Sequence, residues 1–201
     1  MTQIKLCGMR RVADIQTVNA LKPEFIGFVF WPKSKRAVMA EDAAYLKSIL
    51  DPDITAVGVF VDEKAETVAD LLNRGIIDVA QLHGSEDERY IACLRSLTKK
   101  PLIKAFRIHE GKDLESAAAS SADAILLDAG KGDGVSFDWN LLRDFSRLYF
   151  LAGGLGPDNV SEAIDLLHPY AVDVSSGIET DGVKDAKKMA AFVNAVRKGN
   201  V

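Results

Sequence analysis

LYFLAGGLGPDNVSEAIDLLHPYAVDVSSG, Leu148 to Gly177, holds the repeat that decides the fold. Leu148–Ala152 is a short, continuously apolar run, ended by Gly153-Gly154. Gly156-Pro157 reads as a helix start, with proline at the first helical position. Val160, Ala163, Ile164 and Leu167 then fall at i, i+3, i+4 and i+7, which is a helical stripe. A second apolar run, Ala171–Val174, ends in Ser175-Ser176-Gly177. A run that is apolar at every position belongs to a strand buried on both faces. Strand, helix, strand in this form is therefore a parallel crossover unit.

Working outward, the unit recurs along the chain. Ile4–Leu6, Phe25–Phe30, Ile54–Phe60, Ile77–Leu82, Leu102–Phe106 and Ala124–Leu127 bring the candidate strands to eight. Between them Ala65, Val68, Ala69 and Leu72 form one stripe, and Tyr90, Cys93, Leu94 and Leu97 another. Ser85-x-x-Glu88 reads as a capping box for the second. Ala186, Met189, Val193 and Val196 make a last stripe. Eight strand–helix units of roughly 25 residues predict an α/β fold, a single-domain (β/α)8 TIM barrel over residues 1–201. An open doubly wound sheet is the alternative, because periodicity does not reveal closure. Lys131-Gly132-Asp133-Gly134 and Asp181-Gly182 read as turns.

The 201 residues carry 25 basic and 29 acidic side chains, a net charge of −4. That balance argues against nucleic acid or an anionic membrane as a general partner. No apolar stretch is long enough to span a membrane, and the N-terminus lacks a secretory signal's apolar region. The two cysteines form neither a CxxC pair nor a disulfide framework, so a reducing cytoplasm is expected. Cys and His residues lie scattered singly, without metal-ligand spacing. No GxGxxG follows the first strand, and no GxxxxGK[ST] is present. The expected cofactor is none, the expected metal none, and the expected assembly a monomer or homodimer.

In a parallel barrel the chemistry sits at the C-terminal ends of the strands. Cys7-Gly8 ends the first strand, and Asp128 ends the sixth. A thiol and a carboxyl in opposed environments at one mouth would make an acid/base pair. The bland alternatives are a small buried hydrophobe for Cys7 and a loop carboxylate for Asp128. Cys93, on a helical stripe, reads as packing. Gly153-Gly154 and Ser176-Gly177 close the seventh and eighth strands. Barrels often bind phosphate there through backbone N–H groups; tight turns are the competing reading. Arg36 could fork onto a carboxylate, although spacing alone favours an exposed loop charge. His83, ending the fourth strand, could line the mouth or bond its own turn.

Lys5-Leu6-Cys7-Gly8, Gln81-Leu82-His83-Gly84, Leu127-Asp128, Phe137-Asp138-Trp139, Leu151-Ala152-Gly153-Gly154-Leu155 and Val172–Glu179 stand in one order. Together they resemble the phosphoribosylanthranilate isomerase family of tryptophan biosynthesis, over nearly the whole chain. The resemblance implies a cofactor-independent (β/α)8 barrel that performs an Amadori rearrangement on a phosphorylated sugar–anthranilate substrate. It implies Asp128 as general acid, Cys7 as general base, Arg36 near the anthranilate carboxylate, and Gly154, Ser176 and Gly177 around the phosphate. Two departures stand out: the loop Gly130–Gly134, with its acidic Asp133, and Ser34-Lys35-Arg36 where the family commonly has Ser-Pro-Arg. A histidine-pathway isomerase resembles the phosphate ends but uses aspartate at the first strand, which Cys7 argues against. A silent phosphate-binding barrel is the non-enzymatic rival, and an intact Cys7 and Asp128 argue against it.

Overall fold

The computed structural model describes residues 1–129, 139–143 and 145–198. Eight parallel strands form a closed barrel: β1 (Gln3–Cys7), β2 (Phe25–Val29), β3 (Thr55–Phe60), β4 (Val79–Leu82), β5 (Leu102–Arg107), β6 (Ala124–Asp128), β7 (Tyr149–Ala152) and β8 (Ala171–Val174). The ring closes where β8 pairs with β1, from Gln3↔Ala171 to Leu6↔Val174. An open sheet is thereby excluded. Each strand lies on one of the eight apolar runs.

The helices among the described residues are α1 (Val12–Leu21), α2 (Ala40–Ser48), α3 (Ala65–Asn73), α4 (Glu88–Leu97), α5 (Gly111–Ala119), α6 (Val160–Leu167) and α7 (Ala186–Lys198). In the described part of the β6-to-β7 connection there is one 3-10 turn, Trp139–Leu142. The Gly130–Gly134 loop and Phe137-Asp138 lie outside the described residues. No described helix is long and apolar enough to cross a membrane.

Two apolar layers explain why the strand sequences do not alternate. On the outer face, Leu6, Ile26, Leu82, Ile125 and Leu151 belong to one core with helix residues such as Ile15, Val68, Leu94, Ile164 and Phe192. Inside the barrel, Val57, Val79, Ile103, Leu126, Phe150 and Ala171 fill a second core. Cys7, Val29 and Val59 form a small separate apolar group.

Three local expectations are corrected. Ser85 does not cap α4. Its hydroxyl and N–H both donate to Asp62, and Asp87 takes over the cap by accepting from the Tyr90 N–H at 2.9 Å. Pro157 does not open α6: residues 157–159 form a turn, Asn159 accepts from the Gly156 N–H at 2.8 Å, and the helix begins at Val160. Cys93 is not packed but exposed, because α4 buries Ile91 and Leu94 and so is rotated away from the expected stripe.

Candidate active site

Residues opposite each other in neighbouring strands point to the same side of the sheet. Asp128 pairs with Ala152, a member of the interior core. Cys7 pairs with Gly27 and packs with Val29 and Val59. The thiol and the carboxyl therefore share the barrel's inner side at its C-terminal mouth, on walls separated by β7 and β8. Gly27 makes room for the thiol: a Cβ there would lie 2.6 Å from the Cys7 Sγ.

Charges line the barrel beneath and beside Cys7. Lys5, fully buried, donates to Asp173 on the adjacent strand at 3.0 Å. Beyond β8 the chain makes a small hairpin, β9 (Glu179–Thr180) and β10 (Val183–Lys184). Its turn residues Asp181 and Gly182 both have left-handed backbones, with φ of 52° and 74°, as a two-residue hairpin turn of this kind requires. The hairpin sets Glu179 and Lys184 at the mouth. The Lys184 ammonium donates to Glu179 at 2.7 Å and to the Ser175 carbonyl at 2.8 Å.

Arg36 joins this cluster. Its Nε and Nη2 donate to the two Glu179 oxygens at 2.6 and 2.7 Å, a bidentate fork. The loop carrying it folds back on the barrel through a Val29↔Ala37 bridge and an Arg36 N–H bond to the Ser34 hydroxyl. Gly8, with φ of 86°, lets the guanidinium stem pass: a Cβ at Gly8 would meet Arg36 Cδ at 2.6 Å. In this structure Arg36 is thus an ordered, half-buried member of the mouth and not a loose loop charge.

Burial raises the Cys7 thiol above its ordinary pKa, with Asp173 adding to that, while the Lys5 and Lys184 ammoniums oppose it. For Lys5, burial works against the charge, but Asp173 and Cys7 outweigh it and the net shift is upward. Burial would also raise Glu179. Its hydrogen bonds from Arg36 and Lys184 overcome that and bring it down to about 2. Lys184 is lowered, chiefly by burial.

Across the mouth, His83 Nε2 lies 3.5 Å from Asp128 Oδ2. Its Nδ1 is 2.8 Å from the Gln81 amide, two residues back on the same strand. The ring thus spans the two groups, with Nδ1 toward the Gln81 amide and Nε2 toward the carboxyl. The loop holding His83 is pinned from below by a buried carboxylate. Glu86 accepts from Lys104 at 2.9 Å, from Gly84 N–H at 2.8 Å and from Asp62 N–H at 2.8 Å. His83 therefore faces the barrel mouth as well as bonding within its own strand end.

At the β7 and β8 ends, Gly153 and Gly154 have φ of 99° and 67°, a conformation that side chains disfavour. Gly177 approaches the neighbouring loop so closely that a Cβ would stand 2.0 Å from the Leu155 carbonyl oxygen. Ser176 is exposed at the start of a short 3-10 turn. Two surface hollows of about 360 and 420 Å³ lie at the opposite end of the barrel, where the strands begin. Among the described residues, no group of His, Cys, Asp and Glu is arranged to hold a metal ion.

The structure thus sets Cys7 and Arg36 on one side of the mouth, Asp128 and His83 on another, and Gly153, Gly154, Ser176 and Gly177 on the rim between. Sequence reasoning assigned no role to Lys5, Asp173, Glu179 or Lys184. Lys5 and Asp173 left a trace, being charges inside otherwise apolar strands; Lys184, in a two-residue strand, left none.

A family model described as N-(5'-phosphoribosyl)anthranilate (PRA) isomerase matches residues 4–195. An N-(5'-phosphoribosyl)anthranilate isomerase of Endomicrobium trichonymphae is 45% identical, over 98% of this chain and 99% of the relative. One from Acetivibrio thermocellus is 44% identical, over 100% and 98%. Among solved structures, the phosphoribosyl anthranilate isomerase of Thermotoga maritima superposes with a TM-score of 0.91 at 35% identity, covering 98% of this chain and 100% of that one. A phosphoribosyl anthranilate isomerase in complex with reduced 1-(o-carboxyphenylamino)-1-deoxyribulose 5-phosphate gives 0.88 at 36%, with the same coverage. Likeness of this extent, on top of a closed barrel with these strand ends, assigns the chain: it belongs to the N-(5'-phosphoribosyl)anthranilate isomerase family.

Proposed function

We propose that this protein converts N-(5-phosphoribosyl)anthranilate into 1-(2-carboxyphenylamino)-1-deoxyribulose 5-phosphate, a step of tryptophan biosynthesis, by general acid/base catalysis without a cofactor. The observation that carries the reading is the placement of Cys7 and Asp128 on the inner side of one barrel mouth. The family likeness supports the substrate, as does the phosphorylated ligand of the solved relative.

Asp128, as the general acid, gives a proton to the ribose ring oxygen. The C1–O bond breaks with its electrons on oxygen, and the anthranilate nitrogen lone pair forms the C=N bond of an iminium. That cation is an electron sink, so the C2 proton becomes acidic enough for a modest base. The Cys7 thiolate takes it, and the C–H electrons form the C1=C2 bond of an enolamine. Protonation at C1 and loss of the hydroxyl proton at C2 give the ketone. Isomerisation leaves no net oxidation or reduction, so the balance needs no co-reactant.

The rim glycines, Gly153, Gly154 and Gly177, with Ser176, hold the phosphate through backbone N–H groups. That grip lies away from the reacting carbons, so its binding energy can fix orientation. Arg36 takes the anthranilate carboxylate, and His83 bounds the cavity beside Asp128. Loss of substrate anthranilate fluorescence, followed for the intact protein, Cys7→Ala and Asp128→Asn, tests the assignment. Each variant should be slower by at least about a hundredfold, the size of one positioned acid or base. A Cys7→Ala protein at full rate would remove the base.

A further inference from the structure

Lys5 is fully buried in the barrel, yet the mechanism above does not use it. Other interior positions are filled by Val57, Ile103, Leu126 and Phe150. An apolar side chain would serve packing at least as well, since a buried ion pair often stabilises no more than the hydrophobic residues that could replace it. The fold alone gives no reason for an ammonium there.

Its surroundings do. Lys5 and Cys7 are two residues apart on β1, so both side chains point inward, their backbones separated by roughly 6–7 Å along the strand. An ammonium has three donors. One goes to Asp173 at 3.0 Å, and the same ammonium acts electrostatically on the Cys7 thiol two residues further along the strand. Around the thiol, Val29 and Val59 supply no charge. The charged groups facing it are Lys5 from β1, Asp173 from β8, Lys184 from β10 and Arg36 from the loop after β2. Arg36 and Lys184 share Glu179. Three cations are set against two carboxylates, which leaves one positive charge that a thiolate would balance.

We infer that Lys5 is a positioning residue for Cys7: anchored by Asp173, its ammonium lies beneath the sulfur as the counter-charge of the thiolate. The inference rests on Cys7 serving as the base. A thiolate surrounded only by valine side chains is disfavoured. An ammonium held at fixed distance makes the charged form accessible while leaving the sulfur free to face the substrate.

The test is the ultraviolet absorbance of the thiolate against pH, in a Cys93→Ser background, with the matching Cys7→Ala protein subtracted. Lys5→Met keeps the volume and removes the charge. It should move the thiol's midpoint up by about one pH unit or more, and lower kcat by about tenfold near neutral pH with a smaller change in KM. Asp173→Asn breaks the same ion pair but removes a negative charge, so its midpoint should move down. A merely structural pair would shift neither midpoint, or both in one direction; either result overturns the inference. If Lys5→Met does not fold, Lys5→Gln is read in its place: an upward shift supports the inference, and no shift or a downward one overturns it. A fully active Cys7→Ala protein would overturn the base assignment and with it Lys5's part in turnover. An unmoved titration would overturn Lys5's role and leave Cys7 as the base.

Discussion

Glu179→Gln is the most informative single substitution at the rim. The wild-type carboxylate, its side chain only 8% exposed, accepts from Arg36 at 2.6 and 2.7 Å and from Lys184 at 2.7 Å. Those bonds bring it from an ordinary 4.5 to about 2. Its folded pKa is depressed, so the stability it contributes is fully present above the unfolded value near 4.5 and is lost as pH falls toward 2. The difference corresponds to about 3 kcal/mol at neutral pH. Arg36 is 30% exposed at an open rim, and screening reduces the figure to about 2 kcal/mol. Glutamine keeps the shape and one acceptor but not the charge. Urea unfolding at pH 7 should therefore find the variant about 2 kcal/mol less stable, and at pH 3 the gap should fall to less than about half of that. A gap of the same size at both pH values would refute the electrostatic account of this cluster.

Three further substitutions probe other parts of the mouth. Gly177→Ala puts a methyl 2.0 Å from the Leu155 carbonyl oxygen; it should destabilise by about 1–3 kcal/mol and weaken inhibition by inorganic phosphate, and unchanged inhibition would count against the phosphate rim. Gly27→Ala places a methyl 2.6 Å from the Cys7 sulfur; a displaced base should lower kcat by about a hundredfold with a cooperative unfolding transition retained, and full activity would show that the thiol's position does not matter. Glu86→Gln leaves the buried Lys104 ammonium without its carboxylate; a loss of about 3–5 kcal/mol should lower Tm by about 10 °C, and an unchanged Tm would contradict the pinning of the His83 loop.

The strands were legible because a parallel barrel buries both faces of each one, which writes a continuous apolar run such as Phe25–Val29 into the sequence. Helices were legible in proportion to the apolar surface they bury. In α6 Val160, Ala163, Ile164 and Leu167 are all buried, whereas α5 buries only Ala117 and carries no readable stripe. Local competition produced the misreadings. Asp62 captured Ser85 from another loop, and such a long-range partner has no local signature. Cys93 lies at stripe spacing with Tyr90, Leu94 and Leu97, but Ile91 won the buried face. At the site, strand-end position singled out Cys7, Asp128, His83 and the rim glycines. Arg36 was recoverable only through resemblance, because what orders it, Glu179, comes from a hairpin 143 residues away.

A crystal structure with the reduced form of the proposed product bound tests most directly whether one ligand is worked on from both walls. The account predicts the Cys7 sulfur within about 3.5 Å of the sugar's C2 and an Asp128 oxygen within about 3.2 Å of the former ring oxygen. A ligand seated in the mouth with either group turned away from it would contradict the account.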